Sequence, residues 1–282
     1  MIALIDGLLG LCWRGAVRVL ILLFAAVLAG CVSGQKPWPS DPLELVAPYS
    51  GTSGGGEVVW AVAPFRNESG VSVADELRVS DRVVEQIREV RGVSSVPLNR
   101  TLEAMASLGM AEVSSARRAR ALATRMGVDG IVVGTVTAWS PYEPPEIGLT
   151  VSLYARGGDA MRVLDTAGLD PLELVRSGRG MVTDPGAGAE PDGPLSTVSA
   201  HLSGSNGAVR ARVERYGTGR ADPNSATGWE GYLTTMSRFE RFAAFEMVGR
   251  LLSAERERLI RASDAAEVDS AVVSSAFAPG ER

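Results

Sequence analysis

The chain has 282 residues, 45% of them apolar, and its 28 Lys and Arg against 33 Asp and Glu leave a net charge of −5, which suits one domain with extensions and disfavours nucleic acid as a partner. Lys36 is the only lysine, His201 the only histidine, and Cys12 and Cys31 the only cysteines. A P-loop or Schiff-base lysine, a multi-histidine zinc site and a histidine-activated nucleophile therefore lack their parts, and neither a metal nor a cofactor is expected.

Arg14 and Arg18 flank an apolar core from Val19 to Leu28 that ends in Leu28-Ala29-Gly30-Cys31. The core is short of the about 20 residues needed to span a bilayer, and two small residues before a cleavage point are typical of an export signal. The quartet resembles the lipobox of bacterial lipoproteins, which implies acylation (palmitate) of Cys31 as the first residue after removal of 1–30. An uncleaved anchor with an incidental cysteine is the alternative, and either puts the rest of the chain outside the cytoplasm. Removal of Asp6, Arg14 and Arg18 makes the net charge −6, so membrane attachment rests on the acyl chains. Val32 is not the aspartate that resembles an inner-membrane retention signal, which favours the outer membrane, facing the periplasm.

Residues 31–56 read as the lipidated cysteine and a tether, with Pro37, Pro39, Pro42 and Pro48 before the Ser50 to Gly56 run. Val58 to Ala63 is a continuous apolar run closed by Pro64, expected as a strand covered on both faces. Ser72 and Asp75 open an amphipathic helix over about 73–91, on which Val73, Leu77, Val84, Ile87 and Val90 recur, and Gly92 stops it. A short strand at 93–96, a helix from Asn99 or Thr101 to Leu108 and another from Ser114 or Ser115 to Met126 follow, with Gly127 as the left-handed exit. Ile131 to Val136 and Leu149 to Tyr154 are strands joined through the loop Pro141-Tyr142-Glu143-Pro144-Pro145, and Met161 to Thr166 would close a hairpin over residues 157–159.

From 184 to 207 the chain carries Pro, Gly, Ser and acids, and is expected as a disordered insertion in which His201 is solvated. Val209, Ala211 and Val213 alternate with Arg210 and Arg212, as in an edge strand guarded by charge or, alternatively, a membrane hairpin. Thr227 and Glu230 form a capping box for a helix of about 30 residues, whose stripe from Trp229 to Leu251 is widened by Phe242, Phe245, Val248 and Leu252. The wide stripe suits a terminal helix wrapped on its own domain or, alternatively, two surfaces, one of them on another chain. Residues 263–282 read as a frayed tail. The expected fold is one α/β domain over 57–262, a mixed central sheet flanked by helices, plus the long C-terminal helix.

The run Val62-Ala63-Pro64-Phe65-Arg66-Asn67-Glu68-Ser69-Gly70 before a long helix, and the stretch Ala121 to Gly134, resemble a group of envelope proteins. The group includes the TolB amino-terminal domain, the curli-secretion lipoprotein CsgG and the penicillin-binding-protein activator LpoB. The resemblance covers about 100 residues and implies their mixed-sheet α/β fold, with no catalytic residue carried over. A non-enzymatic envelope lipoprotein that binds or regulates a protein of cell-wall synthesis or envelope assembly follows as the expectation. The alternative is an oligomeric subunit of a secretion channel or ring. Arg66, Asn67, Glu68 and Tyr142 are the expected partner contacts, as loop residues beside a rigid sheet. A carboxylate pair such as Glu68 and Asp129 is the remaining route to catalysis, for glycan hydrolysis.

Overall fold

The computed structural model describes residues 43–49, 57–157, 193–222 and 224–276. The export segment, Cys31, the strand expected at 161–166 and residues 184–192 lie outside the described residues. The described elements belong to one compact unit formed by 40–221 and 227–282. Asp222–Ala226 falls outside that unit and forms a turn of its own, in which Asn224 N donates to the Asp222 carboxylate at 2.8 Å.

Six strands make a mixed sheet: β1 Val58–Val62, β2 Arg66–Asn67, β3 Val93–Ser95, β4 Gly130–Ser140, β5 Glu146–Ala155 and β6 Ser196–Ser203. The order is β3-β1-β4-β5-β6. β3, β1 and β4 run parallel, β2 extends the β1 edge along β4, and β4, β5 and β6 are antiparallel. The helices are α1 Glu76–Arg88, α2 Leu98–Ser107, α3 Ala116–Met126, α4 Gly207–Thr218, α5 Gly231–Thr234 and α6 Met236–Ala276.

Alternation along β1 sets the two faces of the sheet. Val58, Trp60 and Val62 meet α1 and α6 in the larger core, whereas Ala61 and Ala63 meet Met105 of α2 and Ala119, Leu122 and Ala123 of α3. The small alanines let the α2 and α3 layer sit close. Asp75 caps α1 by accepting from Arg78 N at 2.9 Å, and Ser115 caps α3, which ends at Gly127 with φ 69°. The mixed sheet flanked by helices, with its long terminal helix, is the fold the pattern led us to expect.

Phe65 occupies the step between β1 and β2, where its N donates to Ser80 Oγ at 2.8 Å. Its ring lies over Gly134, where a Cβ would stand 2.3 Å from the ring. Gly134→Ala is therefore expected to destabilise the chain by about 1–3 kcal/mol through overpacking. Thermal unfolding checks this, and the double variant with Phe65→Leu should recover part of the loss.

Four expectations are corrected. The tether does not run to residue 56: Val46 bridges Arg91 in parallel, Ala47 N donates to Arg91 O and Arg91 N to Leu45 O, both at 2.9 Å, and Ala47 and Tyr49 are buried. The prolines at 42 and 48 masked the apolar spacing of Leu45, Ala47 and Tyr49. Residues 196–203, inside the expected disordered insertion, are strand β6. Its apolar side is only Val198, Ala200 and Leu202, and its other side is held by cross-strand hydroxyl pairs, Thr150 with Ser199 and Ser152 with Thr197, each at 2.9 Å.

The alternating Val209 to Val213 segment is helix α4, not a strand. Asn206 Oδ1 accepts from Ala208 N and Val209 N, and Val209, Val213 and Tyr216 form a buried i, i+4, i+7 stripe that period two conceals. Thr227 and Glu230 open only a 3₁₀ turn, Gly228–Glu230. Thr235, in extended conformation, separates α5 from α6, and α6 then continues to Ala276 through part of the expected frayed tail. The wide α6 stripe finds both its surfaces within the chain. Phe239, Phe242, Met247, Val248, Leu251 and Leu252 are buried, and Phe242 and Phe245 contact the Tyr216 ring.

Candidate functional site

The C-terminal ends of β1 and β4 bring the β2 loop, the start of α1 and the tip of the β4–β5 hairpin to one end of the sheet. β2 is positioned by its register, Arg66 opposite Thr135 and Asn67 opposite Val136, and Glu68 N extends the ladder to Val136 O at 2.8 Å. β4 then continues to Ser140, so Tyr142 stands beyond it at the hairpin tip, 79% exposed. Gly204, in the turn between β6 and α4, packs against the same tip, where a Cβ would stand 2.9 Å from Pro144.

Arg66, Asn67 and Glu68 lie along the middle of β4 and Tyr142 beyond its end, and the four have different occupations. Asn67 stitches its own turn: Oδ1 accepts from Ser69 N at 3.1 Å and Ser69 Oγ at 2.7 Å, and Nδ2 donates to Val71 O at 2.9 Å. That is the geometry of a turn holding itself together. Arg66 and Glu68 pair with each other on the surface. Tyr142 is the one of the four that presents a large apolar surface to solvent.

Sequence reasoning placed Val73 and Leu77 on the buried stripe of α1, and the structure exposes both. Val73 is 71% exposed and Leu77 45%, while Val79, Val83, Val84 and Ile87 carry the packing. Leu77 precedes Val79 by two residues and so lies about 200° around the helix from it, a signal available in the sequence once the densest stripe is taken as reference. Arg78, next to Leu77, stands with its guanidinium 5.9 Å from the ring centroid of Trp139 and makes a two-pronged contact with Glu240 of α6. The Glu240 hydrogen bond raises the Arg78 pKa against the opposing effect of burial. Arg78 therefore ties α1, the hairpin and α6 together beside the exposed apolar residues.

The other candidates are structural in their surroundings. Asp129 Oδ2 accepts from Val59 N at 3.0 Å, and its Oδ1 faces Arg156 at 3.4 Å. His201 is exposed, as expected, but it stands on β6 rather than in a loop, with Nε2 2.9 Å from Glu146 Oε1 on β5. A second buried cluster lies at the other edge of the molecule's core. Glu255 of α6 accepts from Tyr49 Oη at 2.9 Å, from Ser196 Oγ and from Arg258 at 2.8 Å. Burial, and then the Glu255 charge, hold the Tyr49 phenol well above its ordinary range, so it remains a donor. Burial opposes the Arg258 charge, but the hydrogen bond to Glu255 and the attraction of its carboxylate together outweigh it and raise the Arg258 pKa. Among the described residues no group of three or more His, Cys, Asp or Glu is placed to hold a metal ion, and no helix is long and apolar enough to cross a membrane.

No protein-family model and no curated protein matches the chain. Solved structures similar to it include lipoprotein GNA1162 from Neisseria meningitidis, at 15% identity over 56% of this chain and 93% of that chain, with a TM-score of 0.36. The PelC dodecamer from Paraburkholderia phytofirmans is 11% identical over 77% and 94%, with a TM-score of 0.31. The LpoB C-terminal domain from Salmonella enterica is 14% identical over 38% and 79%, with a TM-score of 0.28.

Proposed function

We propose that the chain is a non-enzymatic lipoprotein of the bacterial envelope, anchored by acyl chains on Cys31 in the outer membrane and facing the periplasm. Its α/β domain binds, and through binding regulates, a protein of cell-wall synthesis or envelope assembly. The observation that carries the reading is the Leu28-Ala29-Gly30-Cys31 quartet behind a short apolar core. The scarcity of lysine, histidine and cysteine supports a binding role over a catalytic one. Tyr142, Val73 and Leu77 at the end of a rigid sheet supply an exposed apolar surface for the partner.

The docked segment beginning at Leu43 gives the anchor a short leash. Eleven residues separate Cys31 from Leu43, a reach of at most about 40 Å, so the domain works close to its membrane. Cys31→Ser is expected to abolish incorporation of labelled palmitate and to move the protein from the membrane to the soluble fraction. A photo-cross-linking residue in place of Tyr142 should then capture an envelope protein in cells carrying the acylated chain. Retention of the serine variant on membranes would refute the anchor. A ring-sized oligomer of the acylated chain by light scattering in detergent, with cross-links only between copies, would replace the partner reading with a channel or ring subunit.

A further inference from the structure

We infer that the cleft between α2 and α3 is a separate binding site for an acidic peptide segment that carries an aliphatic side chain beside its carboxylate. The α2 and α3 layer covers the face of the sheet opposite α1 and α6, so this site does not depend on the surface around Tyr142. Residues 98–126 carry Arg100, Arg117, Arg118, Arg120 and Arg125 against Glu103 and Glu112, a local excess of three positive charges in a chain of net charge −5. Helix α3 contains four of these arginines and no acid, and it begins with cations where the helix dipole disfavours them. Arg118 spends its guanidinium on Glu112 O and Ser114 Oγ, both at 3.3 Å. Arg125, at the other end of the helix, meets no acid on its own helix and is left to an anionic partner.

Two of these arginines, Arg100 and Arg125, line a concavity. A cleft of about 390 Å³ opens between the helices, with Val96, Ala104 and Met126 as its apolar lining and Arg100, Arg125 and Ser107 among its polar groups. This is within the size range of small-ligand pockets and holds two or three side chains of an extended peptide. Arg125 is exposed, and among the described residues no carboxylate pairs with it. Arg100 faces Glu103 across 3.5 Å, with both side chains about two-thirds exposed. Glu103 therefore occupies one edge of the Arg100 guanidinium and leaves the other to a ligand. A guanidinium pair over an apolar floor recognises a carboxylate next to an aliphatic group. A planar layer of lipid headgroups would meet the arginines but leave the floor unfilled, which favours the peptide.

The test uses the full chain in detergent, with fluorescence anisotropy of a short fluorescein-labelled peptide alternating glutamate and leucine. The matched glutamine and leucine peptide is the control, and phosphatidylglycerol vesicles are the competing probe. The acidic peptide should bind at least about tenfold more tightly than its control and weaken as salt rises through the physiological range. Arg125→Glu should weaken it by about tenfold or more, and so should Ser107→Trp, which fills the exposed mouth of the cleft without changing charge. Both positions are exposed, and unchanged melting curves for the variants keep a loss of binding separate from a loss of fold. Equal binding of the two peptides, or full affinity in Ser107→Trp, overturns the site. Vesicle binding that depends on Arg125, without peptide binding, overturns it in favour of a lipid-facing surface.

Discussion

Replacing Glu255 with alanine is expected to cost about 3–5 kcal/mol and to lower the Tm by on the order of 10 °C, because it orphans several buried donors at once. Glu255 is fully buried, and it gathers Tyr49 from the segment before β1, Ser196 from the start of β6 and Arg258 from the next turn of its own helix. Removing the carboxylate takes from the Arg258 charge, on a side chain only 20% exposed, its two-pronged contact with Glu255. Glu255→Gln keeps the shape and one acceptor, and should fall between the alanine variant and the parent. The effect reaches the segment before β1. Tyr49 backs the backbone bonds between Leu45, Ala47 and Arg91, so amide exchange at Ala47 and Arg91 should accelerate in the alanine variant. Unchanged protection there, together with a Tm within about 2 °C of the parent, would show that the carboxylate does not hold the segment.

Arg78→Ala is expected to destabilise the chain more than Glu240→Ala, although both break the same ion pair. The Glu240 side chain is completely buried and the Arg78 side chain is 40% exposed. Without Arg78, the carboxylate stays buried with no counter-charge, at a cost of about 3–5 kcal/mol. Without Glu240, the guanidinium turns towards water, and the loss is about 2–3 kcal/mol, that of a charged hydrogen bond. Arg78→Ala also removes the cation stacked on Trp139 and loosens the hairpin that presents Tyr142. Urea unfolding of the two single variants and the double variant measures both losses and their coupling. Equal losses would mean that α6 moves to hydrate Glu240, and that the α1–α6 contact is softer than its burial implies.

Much of the fold was legible in local chemistry. The unbroken apolar run at β1, the β4 run and the Ser115 and Gly127 ends of α3 each state their element within a few residues, because strand burial, capping and a left-handed exit are short-range requirements. The elements that were misread draw their stability from elsewhere in the chain. β6 is a strand because β5 offers a ladder and matching hydroxyls, and Val209 to Tyr216 is a helix because α6 offers Phe242 and Phe245 for Tyr216 to meet. Likewise, residues 43–49 are ordered through Arg91 and Glu255, more than 40 and 200 positions away.

The candidate partner surface divides along the same line. Tyr142, in a loop bounded by prolines, was visible as an exposed aromatic from sequence alone. The turn role of Asn67, the exposure of Val73 and Leu77 and the cleft between α2 and α3 were not. The sequence by itself determined the strand and helix identities set by local periodicity and the scarcity of lysine, histidine and cysteine. Only the tertiary structure decided which apolar residues remain exposed and which charges are buried, because both are properties of what packs against a residue, and those partners lie far away along the chain.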